Sequence, residues 1–259
     1  MTVRWGAVLA LMVLLGGCAT VTARLTPAPR PSALARAYPD QVWGVRNGQL
    51  IMADGTRFPI SQGGPTKTTE QALDQADILD MFAEPYRRGP QRNPPKGDPG
   101  RARYEPLFLK MYGDCSTRAF QAHMRKVAWM PKSAQGGTVN VTTVNGVDRA
   151  LEAVVTDLEK LPPEMARYLA PTAGAFNCRV VAGTSRRSMH AYGAAIDIST
   201  VWADYWLWKG GEDAVWANRI PPEIVAVFER HGFIWGGRWR HFDTMHFEYR
   251  PELLPRRRP

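Results

Sequence analysis

A lone carboxylate in an apolar run constrains the fold of this chain more than any other feature. The run is AAIDIS at residues 194–199, with Asp197 between Ile196 and Ile198. Burying a carboxylate there would be costly unless an arginine, a water molecule or a metal ion paired with it. In a β-strand, alternate side chains point to opposite faces. We therefore predict a strand that buries the two isoleucines and turns Asp197 toward a cleft.

Other polar residues could meet Asp197 in that cleft. His190 lies seven positions earlier, in a predicted loop that could fold over the same cleft. A second polar cluster, WRHFDTMHFEY, occupies residues 239–249, and a strand in its second half would place His246 and Glu248 on one face. Two histidines and one carboxylate, with a fourth position left to water, are typical of a catalytic zinc site.

Each of these residues also has an ordinary structural explanation. His246 could be a core histidine, and Glu248 could form a salt bridge on the face of its strand. Asp197 could pair with one of three nearby arginines, Arg179, Arg186 or Arg187. The spacing of the residues alone leaves these alternatives open, because short patterns of this kind occur by chance.

The order of the motifs favours a metal site. S-x-H-x-x-G-x-A-x-D at residues 188–197 is followed by Trp-Gly-Gly at 235–237 and by D-x-x-H-F-E at 243–248. This order resembles that of the zinc peptidases that cut peptidoglycan peptides. They comprise the D-Ala-D-Ala carboxypeptidases and dipeptidases of the vancomycin-resistance (VanY-like) type and the L-alanyl-D-glutamate endopeptidases. The resemblance covers residues 175–250, and the aspartate at the start of the last motif looks more like the endopeptidase branch.

The resemblance implies a role for each motif residue. His190, Asp197 and His246 would bind Zn²⁺, and Asp243 would be the general base that takes a proton from the attacking water. Glu248 would orient one of the ligands by accepting a hydrogen bond from it. The implied reaction is hydrolysis of a peptide bond in peptidoglycan stem peptides, either L-Ala-D-Glu or D-Ala-D-Ala.

Substrate contacts are expected from Ser188 and from an arginine ahead of the first motif. We choose Arg179 because a predicted strand over Cys178–Ala182 would fix its direction, although an upstream helix could supply the arginine instead. Arg179 would stabilise the oxyanion or anchor an acidic group of the peptide.

The fold class follows from helical and strand patterns that do not alternate regularly. Helices are predicted from a capping box at Thr68 toward Phe82, after Asp148, and from Pro221 to Gly232. Mixed with short strands, they indicate an α+β fold. The resemblance implies a small antiparallel sheet that carries the zinc cleft and is flanked by helices, as in hedgehog-like and DD-peptidase-like domains.

The N-terminal residues indicate export. The apolar run Trp5–Leu15 is shorter than the ~20 residues of a membrane-spanning helix, so residues 1–17 are predicted to be a signal peptide. Leu-Gly-Gly-Cys, ending at Cys18, resembles the bacterial lipoprotein signal, in which the cysteine is lipidated, and Ala19 resembles the outer-membrane sorting pattern. We expect a lipid-anchored envelope protein that faces the periplasm at the outer membrane. An ordinary signal peptide, with the cysteine discarded, is the alternative.

The rest of the chain is divided by composition. Residues 18–40 are rich in Pro, Ala and Arg, which suits a tether. Residues 41–110 are an N-terminal extension to which the sequence assigns no role, and residues 111–255 are the predicted peptidase domain. A second Pro/Gly/Arg-rich stretch, residues 86–104, is predicted to be a long loop.

The remaining two cysteines, Cys115 and Cys178, would lie in an oxidising compartment. An even number of cysteines there favours a disulfide. Two separately buried free thiols are the alternative.

The net charge of +9 does not indicate nucleic-acid binding, because no binding motif accompanies it and the protein is predicted to be exported. The expected partners are peptidoglycan stem peptides and, through the lipid anchor, a membrane. A non-catalytic peptidoglycan-binding lipoprotein on the same fold is the rival function. Such a protein should lack a metal ligand or the base, and here all four residues are present. An arginine–carboxylate network in a structural protein would leave the ordered motifs unexplained.

The lipid anchor predicts a change of location on a single substitution. Cys18→Ser should release the protein from the membrane fraction or block its processing, because the acylated thiol would be missing. Fractionation followed by immunoblotting measures this, and equal membrane association of the variant and the wild type would contradict the lipoprotein assignment.

Overall fold

The computed structural model describes residues 30–254, and within them short helices and small antiparallel sheets are mixed, which confirms the α+β class. The predicted signal peptide, Cys18 and most of the tether lie outside the described residues. No helix within residues 30–254 combines the length and the apolar character that crossing a membrane requires.

The described residues form seven α-helices and eight strands, joined by 3₁₀ turns. The helices are α1 (Ala33–Ala37), α2 (Thr69–Asp74), α3 (Glu105–Tyr112), α4 (Arg118–Gln121), α5 (Val147–Leu158), α6 (Ala166–Leu169) and α7 (Pro222–Arg230). The strands are β1 (Val42–Arg46), β2 (Gln49–Met52), β3 (Arg57–Pro59), β4 (Met124–Trp129), β5 (Gly137–Thr142), β6 (Ala195–Asp197), β7 (Phe233–Trp235) and β8 (His246–Tyr249).

The strands form three antiparallel sheets, of which one carries the polar motifs. β1, β2 and β3 form a meander, β4 and β5 form a hairpin, and β6, β8 and β7 form the third sheet, with β8 in the centre. The strands predicted at residues 194–199 and 244–249 are thus confirmed, although each is shorter than predicted. We call the third sheet the site sheet.

One face of the site sheet packs on apolar helix faces. Phe247, in the central strand, stacks on Phe228 of α7 with the ring centroids 3.8 Å apart. Phe228 also contacts Phe233 of β7 and Trp129 of β4. Because side chains alternate along β8, burial of Phe247 on this face leaves its neighbours, His246 and Glu248, on the other face.

Residues on both sides of the predicted boundary at residue 110 share one hydrophobic cluster. The cluster extends from the N-terminal part of the described chain through the site sheet and includes Leu34, Leu50, Ile78, Phe108, Val154, Phe228 and Phe247. Residues 41–110 therefore pack on the same core as the motif residues. The predicted domain limits themselves remain predictions.

The helix predicted from Thr68 to Phe82 is wrong in its length. Its capping box is present, with Thr68 and Gln71 bonded reciprocally, but the helix ends at Asp74. Beyond it, Asp77 and Asp80 each accept a hydrogen bond from the backbone N–H of the other. These side chains satisfy backbone donors outside a helix and so compete with its continuation.

Cys115 and Cys178 form a disulfide across 63 residues of chain. Cys115 follows α3 and packs with Phe120 and Ala191. The bond therefore ties the segment just before the first motif to the body of the domain.

Replacing both cysteines by serine should destabilise the fold by about 4 kcal/mol, since closing a loop of this length removes entropy from the unfolded chain. Denaturant unfolding of the double variant would measure the loss, with wild type under reducing conditions as the control. An unchanged unfolding midpoint would contradict a stabilising role for the bond.

Candidate active site

The register of the site sheet brings Asp197 and His246 together. Asp197 of β6 lies directly opposite His246 of β8, and its Oδ1 atom is 2.9 Å from His246 Nδ1. Side chains directly opposite in an antiparallel pair point to the same face. The two residues therefore meet on the face of the sheet that Phe247 does not occupy.

A 3₁₀ turn, Met189–Tyr192, adds His190 to this pair. The Ser188 hydroxyl accepts a hydrogen bond from the His190 backbone N–H at 3.3 Å and begins the turn. Gly193 ends it with a φ of 64°, and a Cβ atom there would lie 2.9 Å from the backbone nitrogen of Thr142. Only glycine fits this left-handed, crowded position, which explains the glycine of the first motif.

Each histidine has one ring nitrogen committed to a hydrogen bond and one directed at the site. His190 Nδ1 bonds the carbonyl oxygen of Ala175, while its Nε2 lies 3.2 Å from Asp197 Oδ2. His246 Nε2 lies 3.1 Å from Glu248 Oε2, while its Nδ1 faces Asp197. Hydrogen bonds of this kind fix the tautomer and orientation of metal-binding histidines.

The three side chains fit a metal ion. His190, Asp197 and His246 each offer a ligand atom, and these atoms all lie within 4.8 Å of one another. His190 Nε2 and His246 Nδ1 are 3.2 Å apart with their other nitrogens already bonded, so two lone pairs and a carboxylate converge on one point. Such a donor set could hold a cation.

The pKa values also show that the site favours positive charge. Burial acts to lower the pKa of His246, but hydrogen bonds to Asp197 and Glu248 raise it to about 10. Burial acts to raise the pKa of Asp197, but the two histidines lower it well below its usual range. A cation held by these three residues would supply positive charge at this point.

Asp243 lies at the same cleft but is not part of the three-residue cluster. Its Oδ1 atom is buried and has no hydrogen-bond partner among residues 30–254. Burial, together with the negative charge of Asp197, raises the pKa of Asp243 to about 7. A carboxyl group with this pKa can accept and release a proton near neutral pH.

The Trp-Gly-Gly turn sets the position of Asp243. The Asp243 backbone N–H donates to the carbonyl oxygen of Gly236 at 3.1 Å. A Cβ atom on Gly236 would lie 2.5 Å from the Asp243 carbonyl oxygen, and one on Gly237 would lie 2.1 Å from the ring of Trp235. Neither position has room for a side chain. Gly236 allows the backbone at Asp243 to come close, and Gly237 allows the Trp235 indole to pack against it.

Glu248 is held by two arginines that the sequence did not indicate. Arg250 Nη1 lies 3.1 Å from Glu248 Oε1, and Arg103 Nη1 lies 3.4 Å from Glu248 Oε2. Burial acts to raise the pKa of Glu248, but Arg103, His246 and Arg250 lower it to about 2. The spacing of Arg250, two residues after Glu248 and one residue beyond β8, could have indicated this pair. Arg103 lies in the loop at 86–104, which has no periodic pattern.

Arg179 lines the cleft, but the strand predicted to orient it is wrong. The segment Cys178–Ala182 forms only an isolated bridge between Val180 and Arg187, and the chain turns at Gly183. Arg179 is exposed, and its Nη1 bonds the neighbouring carbonyl oxygen of Val180 at 3.2 Å. The segment pairs only with residues 186–188, across this turn, and does not extend the site sheet.

The cleft has a volume of about 260 Å³ and is rich in arginine. Ser188 and the aromatic side chains of Tyr205, Trp206 and Trp239 form part of its wall. The four arginines that line it are Arg101, Arg103, Arg179 and Arg186. The guanidinium groups suit a ligand that carries negative charge.

Residues 182–249 match a known family of enzymes. The model of that family is described as D-alanyl-D-alanine carboxypeptidase. The matched segment contains the three clustered residues and Asp243, and it excludes Arg101, Arg103 and Arg179. A comparison with curated proteins finds no match for the chain. The match supports a peptidase and does not distinguish the carboxypeptidase branch from the endopeptidase branch.

Loss of one clustered residue should remove the metal. Wild-type protein loaded with Zn²⁺ and then desalted should retain close to one ion per chain, whereas His246→Ala should retain little, because two donors bind weakly. Elemental analysis by mass spectrometry measures this, with His231→Ala as the control, since His231 pairs with Asp157 away from the cleft. Full occupancy in His246→Ala would contradict the site.

Proposed function

We propose that the protein is a zinc-dependent peptidase that hydrolyses a peptide bond in peptidoglycan stem peptides. The observation that carries the proposal is the convergence of three metal-binding side chains beside a carboxylate that has an unused buried oxygen. The family match to residues 182–249 supports the class of reaction and substrate. The Zn²⁺ ligands in this proposal are His190, Asp197 and His246.

In this mechanism Asp243 moves the proton. Zinc, when bound, lowers the pKa of a water molecule and polarises the peptide carbonyl. Asp243 takes the proton of the attacking water and passes it to the leaving amine. Its free Oδ1 atom is available for both steps, because no hydrogen bond from residues 30–254 occupies it.

The remaining cleft residues bind and orient. Glu248 accepts a hydrogen bond from His246 and so keeps the opposite ring nitrogen directed at the site. Arg179 stabilises the oxyanion or anchors an acidic group of the peptide. The Ser188 hydroxyl lines the cleft, and its oxygen also begins the turn that carries His190.

The preferred bond is L-Ala-D-Glu, as in the endopeptidase branch, with D-Ala-D-Ala as the other candidate. An aspartate at the base position and the Trp-Gly-Gly turn upstream favour this choice. We further propose that lipidation of Cys18 anchors the protein at the outer membrane, facing the periplasm, which would place the cleft next to its polymeric substrate.

Substitution of the base should separate catalysis from metal binding. Asp243→Asn should keep its zinc and its fold while losing hydrolysis by about 10²–10⁴-fold, the usual contribution of a general base. Purified peptidoglycan would be incubated with each protein, and the new termini would be identified by mass spectrometry. New N-terminal D-Glu indicates the endopeptidase, and released D-Ala indicates the carboxypeptidase.

The control is Asp213→Asn, because Asp213 is exposed and does not line the cleft. It should retain wild-type activity. Loss of zinc from Asp243→Asn would make Asp243 a ligand and overturn the assignment of the base. If zinc-loaded wild type bound the polymer but released no new terminus, the protein would be a peptidoglycan-binding module instead.

A further inference from the structure

Exposed apolar side chains are concentrated in one segment beside the catalytic cleft. Among residues 30–254, eight large hydrophobic residues are exposed, and four of them lie between residues 201 and 215. These four are Val201, Leu207, Trp208 and Val215. Single exposed hydrophobic residues are normal on a protein surface, whereas a concentration of them marks a binding surface.

An aromatic contact leads from the cleft to this segment. Tyr205 is part of the cleft wall, and its ring centroid lies 5.4 Å from that of Trp208, with the two rings nearly perpendicular. Trp208 is 57% exposed and is not among the residues that line the cleft. Its indole therefore lies outside the cleft but next to the wall. We call Tyr205 and Trp208 the aromatic platform.

The backbone fixes the aromatic platform beside the proposed base. Tyr205 and Asp243 form an antiparallel bridge. Next to Tyr205, the carbonyl oxygen of Asp204 accepts a hydrogen bond from the Thr244 backbone N–H at 3.0 Å. The Asp204 backbone N–H in turn donates to the Thr244 hydroxyl at 2.7 Å. These bonds hold the platform in a constant position relative to Asp243.

The proposed substrate supplies an occupant for this position. In peptidoglycan the stem peptide is attached to the glycan strand through L-Ala, so a sugar begins one residue from the preferred scissile bond. One extended residue spans about 3.5 Å. The cleft, of about 260 Å³, is smaller than the ~300–1,000 Å³ of most ligand pockets. A sugar attached to a peptide in the cleft would therefore lie just outside it, as the platform does.

We propose that Tyr205 and Trp208 bind a sugar ring of the glycan strand to which the stem peptide is attached. A sugar ring has an apolar face of C–H groups, and packing it on an exposed aromatic ring removes both from water. The proposal rests on the proposed function and adds that the enzyme selects glycan-linked peptides over free peptides.

A lipid surface is the other candidate, because tryptophan is common at membrane interfaces. It fits the geometry less well. Tyr205 belongs both to the platform and to the cleft wall, so a membrane that covered the platform would also obstruct the cleft. A glycan strand is narrow and is joined to the peptide that the cleft binds.

Two soluble substrates test the platform. One is the disaccharide pentapeptide GlcNAc-MurNAc-L-Ala-D-Glu-L-Lys-D-Ala-D-Ala, and the other is the same pentapeptide with an N-acetyl group in place of the sugars. For zinc-loaded wild type, kcat/KM should be about 10-fold higher for the glycan-linked substrate, a typical contribution of one aromatic residue at an interface. Equal kcat/KM values would overturn the proposal.

Variants then assign the preference to the platform. Trp208→Ala should make the two substrates equivalent, whereas Trp208→Phe should keep most of the preference because it keeps an aromatic ring. Trp43→Ala is the matched control, since Trp43 is 75% exposed on β1 and does not line the cleft. It should behave like wild type. A full preference in Trp208→Ala would overturn the proposal.

Binding of glycan strands separates this proposal from the proposed function. Strands from which an amidase has removed the stem peptides contain no peptide bond to cleave. Followed by tryptophan fluorescence, they should bind Trp208→Ala about 10-fold more weakly than wild type. If wild type cleaves no peptide, the proposed function fails, and strand binding still decides the platform. If peptides are cleaved but both proteins bind strands equally, the platform alone fails.

Vesicles of phosphatidylethanolamine and phosphatidylglycerol test the lipid alternative. In a Cys18→Ser background, Trp208→Ala should sediment with these vesicles to the same extent as its parent. If the substitution weakens binding to vesicles but not to strands, the platform contacts a membrane and the proposal is overturned. If ultracentrifugation shows that it instead converts a dimer into a monomer, the platform joins two copies of the chain, which also overturns the proposal.

Discussion

The contact between Asp197 and His246 is the interaction on which the rest of the site depends. It joins β6 to β8 across the antiparallel register, at a distance of 2.9 Å, on the face opposite the buried Phe247. A shift of one residue in either strand would move its polar side chains to the apolar face. The stacking of Phe247 on Phe228 therefore fixes the register and, with it, the position of the metal ligands.

A buried charge network extends this dependence to the N-terminal part of the chain. Arg250, which is fully buried, contacts Glu248 on one side and Glu252 on the other, and its Nη1 donates to the carbonyl oxygen of Gly100 at 2.7 Å. Glu252 in turn accepts a hydrogen bond from Tyr38. Removing one member would leave a buried charge without compensation. Residues 41–110 thus support the site through the loop that also supplies Arg101 and Arg103.

The sequence predicted those features that have a local pattern. The alternation in AAIDIS placed Asp197 on the cleft face, because the period of a strand is two, and the chain order of the motifs indicated His190, His246 and Asp243. The sequence did not predict the loop arginines. Arg103 contacts Glu248, which lies more than a hundred residues further along the chain, and no local pattern reveals such a contact. The strand at Cys178–Ala182 was wrong for a related reason. A strand needs a partner, and the local sequence does not show whether the fold provides one.

The central claim is that two imidazole nitrogens and one carboxylate bind a single zinc ion. An anomalous difference map, recorded from crystals at the zinc absorption edge, tests it most directly. The account predicts one strong peak in contact with His190 Nε2, His246 Nδ1 and the Asp197 carboxylate, with Asp243 outside bonding distance. A peak elsewhere, or zinc-soaked crystals without a peak at these three residues, would contradict it.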